Sequence, residues 1–134
     1  MKEFAFIVST HTGRYDLTAA VRRIGSDLLV AVWGGEKPHI GAVAVARPRP
    51  SLEDGARTSA SASVFCFTGH KEDQLARAMA LEIAANLNTP VVLTAGMHWD
   101  GLAPGGISAV KRNSRILAQA IIKRLQAPAA TQPE

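Results

Sequence analysis

At 134 residues, 47% apolar and only 5% aromatic, the chain is sized for one domain whose core must come from Val, Ile, Leu and many Ala, which implies close backbone packing. The net charge of +4 leans basic, but Lys and Arg are spread out. The one cluster, Lys111, Arg112 and Arg115, has no interleaved aromatics, so a solvated helix face explains it better than a nucleic-acid stripe, while an anionic small ligand stays compatible.

Phe4 to Thr10 is a short apolar run closed by the turn signal His11-Thr12-Gly13, and reads as a buried strand. Tyr15, Leu17, Ala19 and Val21 alternate with polar or small residues, the period-two pattern of a second strand. Gly25-Ser26-Asp27 turns the chain into a third strand, Leu28 to Trp33. Gly34-Gly35 and Lys37-Pro38 close that strand, and Ile40 to Ala46 makes a fourth. Residues 47–58, RPRPSLEDGART, carry two prolines, Asp-Gly and no apolar period, so they are expected to form a long loop, a lid or partner-contact flap at the sheet end opposite the histidines. Ala60 to Thr68 is the fifth strand, with the single cysteine, Cys66, packed inside it and unable to form an intramolecular disulfide.

From Lys71 to Leu87, Leu75, Met79, Ile83 and Leu87 recur every four positions with Ala76, Ala78 and Ala84 beside them, the narrow apolar face of a helix that Asn88-Thr89-Pro90 stops. Val91 to Ala95 is a short buried strand, and a second helix from about Pro104 or Gly106 carries Ile107, Val110, Leu117, Ile121 and Leu125 on one side. The tail at residues 127–134, APAATQPE, is expected to be disordered. The fold class expected is α+β over residues 1–126: a largely antiparallel meander of about six strands packed with two helices. No leader-like segment opens the chain and no apolar run approaches the ~20 residues of a membrane span, so a cytoplasmic protein with no membrane partner is expected.

All four histidines lie at strand ends. In a meander the ends of the first, third and fifth strands share one edge with the starts of the second and fourth, which collects His11, His39 and His70. The strand-helix-strand crossover should make the last strand a parallel neighbour of the fifth and bring His98 to the same edge. His39, His70 and His98 would supply three nitrogen ligands, a number that suits Zn, Mn or Fe, although each histidine can equally be structural and no HxxxH or CxxC spacing is present. In TGHKED, residues 68–73, Gly69 permits a tight turn, and helix-terminal amides with Lys71 could hold a phosphate; ordinary capping by Glu72 and Asp73 is the competing reading. In GMHWDGLAPGG, residues 96–106, an extended backbone puts His98 and Asp100 on one side, as a metal-ligating or proton-orienting pair, and Trp99 on the other. The indole can stack on a planar ligand or plug the sheet end. Nucleophilic catalysis is poorly supported: Ser63, Ser108 and Ser114 lack a nucleophile-elbow context, and there is no P-loop.

The segments GGEKPHIGAVAVARPRPS, TGHKEDQLA and TAGMHWDGLAPGGISAVKRNSRIL, most of residues 34–117, resemble the LpdD-like prenylated-flavin chaperones. These small accessory proteins are encoded with UbiD-like hydroxyarylic acid decarboxylases. Trp99 and Gly101 stand where the family pattern after the histidine has Ile and Asn around the Asp. The resemblance implies a fold similar to the small proteasome-assembly chaperones. It also implies a homodimer, with the ligand site at or near the interface, and a non-catalytic role: holding prenylated FMN and helping it reach or mature in a decarboxylase. On that reading Gly69, His70 and Lys71 take the phosphate, Trp99 the ring face, and His39, His98 and Asp100 the polar edges or a divalent metal. The alternative is a protein-assembly chaperone with no small ligand; a small metal-dependent enzyme is the third.

Overall fold

The computed structural model describes residues 5–67 and 72–127; the expected disordered tail beyond Ala127 and the segment holding Gly69, His70 and Lys71 lie outside the described residues. The chain runs β1 (Ala5–Ser9), β2 (Leu17–Ile24), β3 (Asp27–Gly35), β4 (Ala42–Pro50), β5 (Thr58–Cys66), α1 (Asp73–Leu87), β6 (Val91–His98) and α2 (Gly106–Gln126). This is the α+β class expected, but the sheet is mixed: its order is β1-β2-β3-β6-β4-β5.

The meander is broken at one place. β6 pairs parallel to β3 and antiparallel to β4, so it is not the neighbour of β5 that the sequence suggested. Residues 36–41 make this possible. A connection of that length spans the two strand spacings, about 10 Å, that separate β3 from β4 when another strand lies between them. Both its ends bond to the intruder: the Glu36 N–H donates to the His98 carbonyl (2.8 Å) and the Gly41 N–H to the Ala95 carbonyl (2.9 Å). The β5-α1-β6 crossover therefore passes over β4 and places the apolar strand VVLTAGMH in the middle of the sheet.

The expected long loop at 47–58 shrinks to residues 51–57, because strands enter it from both sides. β4 runs to Pro50 and β5 starts at Thr58, paired from Ala42↔Cys66 to Pro50↔Thr58. Ser51 donates its N–H to Arg57 on the returning chain, so odd positions of β4 face β5, and Pro48 and Pro50 turn their nitrogens the other way. β6 begins only opposite Ala46, so no partner on that side needs their missing N–H.

Both helices lie on one face of the sheet. α1 covers β4 and β5, and α2 reaches β1 and β2. Alternate residues of the inner strands, such as Leu17, Val30 and Leu93, are fully buried against Met79, Ile83, Leu117 and Ile121. Ala42, Ala44 and Ala46 on β4 face Ala76, Ala80 and Ala84 of α1, all completely buried, which is the close backbone packing that the alanine content requires. The strand directions bring the ends of β1, β3, β5 and β6 to one end of the sheet. Each helix follows one of those strands, so both helix N-termini open at that end too. No helix among the described residues is long and apolar enough to cross a membrane.

Candidate functional site

The histidine end is where the sequence placed it, but its members do different things. His11 follows β1, three strand spacings from β6, and is exposed with φ 53° at the start of a tight turn. Asp16 ties that turn: its Oδ1 accepts the Thr10 hydroxyl (2.8 Å) and the N–H groups of Thr12 and Gly13. These bonds, the Thr12 N–H foremost and then the Thr10 hydroxyl, hold the Asp16 carboxyl below the usual carboxylate range. The turn presents Arg14 and Tyr15 to the loop after β6.

His39 is held at both ring nitrogens. Nδ1 lies 2.8 Å from the Lys37 carbonyl and Nε2 2.9 Å from Glu72 Oε1. Glu72 sits at the N-cap position of α1 and is 7% exposed, and the same Oε1 accepts the Met97 N–H at 3.4 Å. Two glycines make the space. A Cβ at Gly41 would collide with the Glu72 carboxylate, and one at Gly96 would collide with the His39 carbonyl. A carboxylate at the positive end of a helix, whose Oε1 meets an imidazole and an amide, is a buried polar cluster held by charge-assisted bonds at that oxygen. From the sequence Glu72 is legible only as a cap residue; its partner is 33 positions away.

His98 and Asp100 lie on one side of the extended chain, as their spacing implies, with Nε2 2.9 Å from Oδ1. Lys37 Nζ adds a contact at 3.5 Å, and the Asp100 N–H donates to Glu36 Oε2 at 3.0 Å. The His98 bond first, then the Glu36 contact and the Lys37 charge, hold the Asp100 carboxyl below its ordinary range. Trp99 points the other way, 8% exposed, with Nε1 donating to the Arg14 carbonyl (2.9 Å) and its ring edge-on to Tyr15 at 5.4 Å. The indole therefore closes the sheet end, and only a margin of it reaches the space between the helices. Arg14 donates to the carbonyls of Asp100 (3.4 Å) and Gly101 (3.0 Å), the Tyr15 hydroxyl accepts the Ala103 N–H (3.2 Å), and Asn113 on α2 donates to the Tyr15 carbonyl (2.7 Å). These contacts staple the His-x-Asp loop to the β1–β2 turn across more than 80 residues of sequence.

Of the expected metal triad, only His39 and His98 are among the described residues. His39 spends both nitrogens on protein oxygens, His98 gives Nε2 to Asp100, and His70 lies outside the described residues. Among the described residues no group of three His, Cys, Asp or Glu side chains is placed to hold a metal ion. What His39 and His98 share is a cleft of about 1070 Å³ between the N-terminal halves of α1 and α2. Its walls are apolar: Leu75 and Ala78 on α1, Ile107 and Val110 on α2, with Met97 beneath. His39, Glu72 and His98 line one end, and Lys37, Lys111 and Arg115 add cations. An apolar-walled space with a few convergent polar groups fits a planar ligand with polar edges and an anionic end, as a flavin mononucleotide has.

A family profile described as the prenylated flavin chaperone LpdD-like domain matches residues 11–126. Protein LpdD of Lactiplantibacillus plantarum is 29% identical over 119 residues, 89% of this chain and 84% of that protein. A chain from the crystal structure of a chaperone complex for yeast 20S proteasome assembly superposes with a TM-score of 0.56 at 15% identity, covering 94% of this chain and 97% of the other, which is a likeness of fold. With the family profile spanning β2 to β6, both helices and the cleft between them, the chain belongs to the prenylated flavin chaperone LpdD-like domain family.

Proposed function

We propose that this protein is an accessory chaperone, not an enzyme, that binds prenylated FMN in the cleft between α1 and α2. It then supports delivery or maturation of that cofactor in a UbiD-like hydroxyarylic acid decarboxylase in the cytoplasm. The observation that carries the reading is the cleft itself: about 1070 Å³ between apolar walls, lined at one end by the His39–Glu72 pair and by His98, which is bonded to Asp100. His98 and Asp100, the more exposed pair, meet the polar edge of the ring. Trp99 supports them from below by fixing the loop. Gly69, His70 and Lys71 immediately precede Glu72, which lines the cleft, so the phosphate role read for them in the sequence is retained here as part of the proposal, shared with the α2 cations that line the same cleft.

The protein is further proposed to act as a homodimer. The sheet face opposite the helices carries Ile7, Leu29, Val92, Val45 and Phe65, with Ile7 67% and Phe65 64% exposed. Six strands about eight residues long present a face on the order of 700 Å², close to the ~800 Å² each partner contributes to a stable interface. Two such faces packed together would leave both clefts outward, open to a decarboxylase, and so away from the interface where the resemblance implied the ligand site. The same uncovered face favours the second reading, an assembly chaperone that grips only protein. Anaerobic titration with prenylated FMN separates the two. Saturable binding that is lost when His98 and Asp100 are both replaced by Ala is expected, and no binding at any accessible concentration would leave only the second reading.

A further inference from the structure

The cluster Lys111, Arg112 and Arg115 is uniform in sequence but divided in space. Lys111 and Arg115, one helical turn apart, line the cleft together with Ile107, Val110 and Ser114; Arg112 does not. Among the described residues, the carboxylates near the cleft pair elsewhere: Glu72 is engaged by His39, and Asp100 by His98 and Lys37. The first turn of α2 holds no acidic residue and its N-cap is Gly105, which has no capping side chain, so the positive end of the helix adds to the same field. Beside these charges the chain leaves large apolar side chains uncovered, with Ile107 62% and Leu102 41% exposed, both on the cleft. Water covers a lysine well and an isoleucine poorly. An occupant that suits both must be apolar over its body and anionic at one end.

We propose that Lys111 and Arg115 are the anion seat of the cleft, gripping the phosphate or carboxylate of a ligand whose planar apolar body lies between Leu75 and Ile107. This deepens the cofactor reading and rests on it only for the name of the ligand. Arg115 can offer a guanidinium fork to two oxygens at once, and Lys111 a mobile point charge beside it. The concave shape argues for a small molecule over a membrane surface, which would need the same residues on a convex face.

The test uses two ligand pairs that differ in charge: FMN against riboflavin, and anilinonaphthalene sulfonate against neutral phenylnaphthylamine. Binding is measured to the wild-type protein, to Lys111→Gln/Arg115→Gln, and to Arg112→Gln as the control on the same helix. The anionic member of each pair should bind the wild type more tightly. The double variant should weaken it at least about tenfold while leaving the neutral member unchanged, and Arg112→Gln should behave as wild type. Loss of both members in parallel, or an unchanged anion affinity in the double variant, would overturn the seat. If neither flavin binds but the sulfonate discriminates as described, the seat stands and the anaerobic prenylated FMN titration alone decides the cofactor reading. Association of the double-variant-sensitive surface with phosphatidylserine vesicles, without probe binding, would assign these residues to lipid and overturn the proposal.

Discussion

Single residues near the cleft differ sharply in what they contribute. Glu72 is buried and bonded to an imidazole, so Glu72→Gln keeps its shape but removes the charge that strengthens two bonds. The expected loss is about 1–3 kcal/mol, read as a lower urea midpoint at unchanged m-value, together with weaker ligand binding as His39 loses its anchor. Asp16 acts at a distance, through the turn that sets Arg14 and Tyr15 against the loop after β6. Its folded-state proton affinity is depressed, so the unfolded chain takes up the proton first as pH falls. The stabilisation is complete above the unfolded value of about 4 and is lost as pH drops through the lower folded value. Asp16→Asn should therefore lower the melting temperature at neutral pH and flatten its decline in acid. Parallel acid limbs for the two proteins would show that the turn contributes nothing to the pH dependence.

At the scale of elements, the approach of β6 to the chain before β4 decides where His39 stands. Gly96 is the point of closest approach, and a methyl group there meets the His39 carbonyl with no flexible side chain to yield. Gly96→Ala should cost about 1–3 kcal/mol by overpacking, seen in thermal unfolding, and should displace His39 from the cleft. Gly55→Ala is the matched control, because nothing lies within 4 Å of its Cβ position, and its melting temperature should stay near that of the wild type. The spans of the helices were legible because Met79 and Ile83 on α1, and Leu117 and Ile121 on α2, keep the helical period. The reach of β4 through Pro48 and Pro50 was not. Proline normally argues against a strand, and only the absence of β6 on that side lets both prolines stay paired to β5.

For the whole molecule, the proposed homodimer would bury the sheet face opposite the helices. Phe65 and Val45 lie on it in strands that need neither side chain for the core. Phe65→Lys with Val45→Lys should convert a dimer to a monomer in light scattering at micromolar concentration, leave the far-UV spectrum unchanged, and reduce adsorption to apolar resins. A wild-type monomer at every concentration tested would remove the homodimer from the proposal.

Local pattern determined much of this protein without any structure. Alternating or helical apolar periods set the elements, and strand direction alone brought His11, His39 and His98 to one end, because a connection rule needs only order and length. Tertiary structure alone decided that β6 lies between β3 and β4, since a parallel crossover can skip a strand without changing its own sequence. It also decided that Trp99 is a buried strut, that Glu72 anchors His39, and that Lys111 and Arg115 face a cleft while Arg112 does not. Each of those outcomes depends on what stands opposite a residue across the fold, and a residue type cannot name its partner.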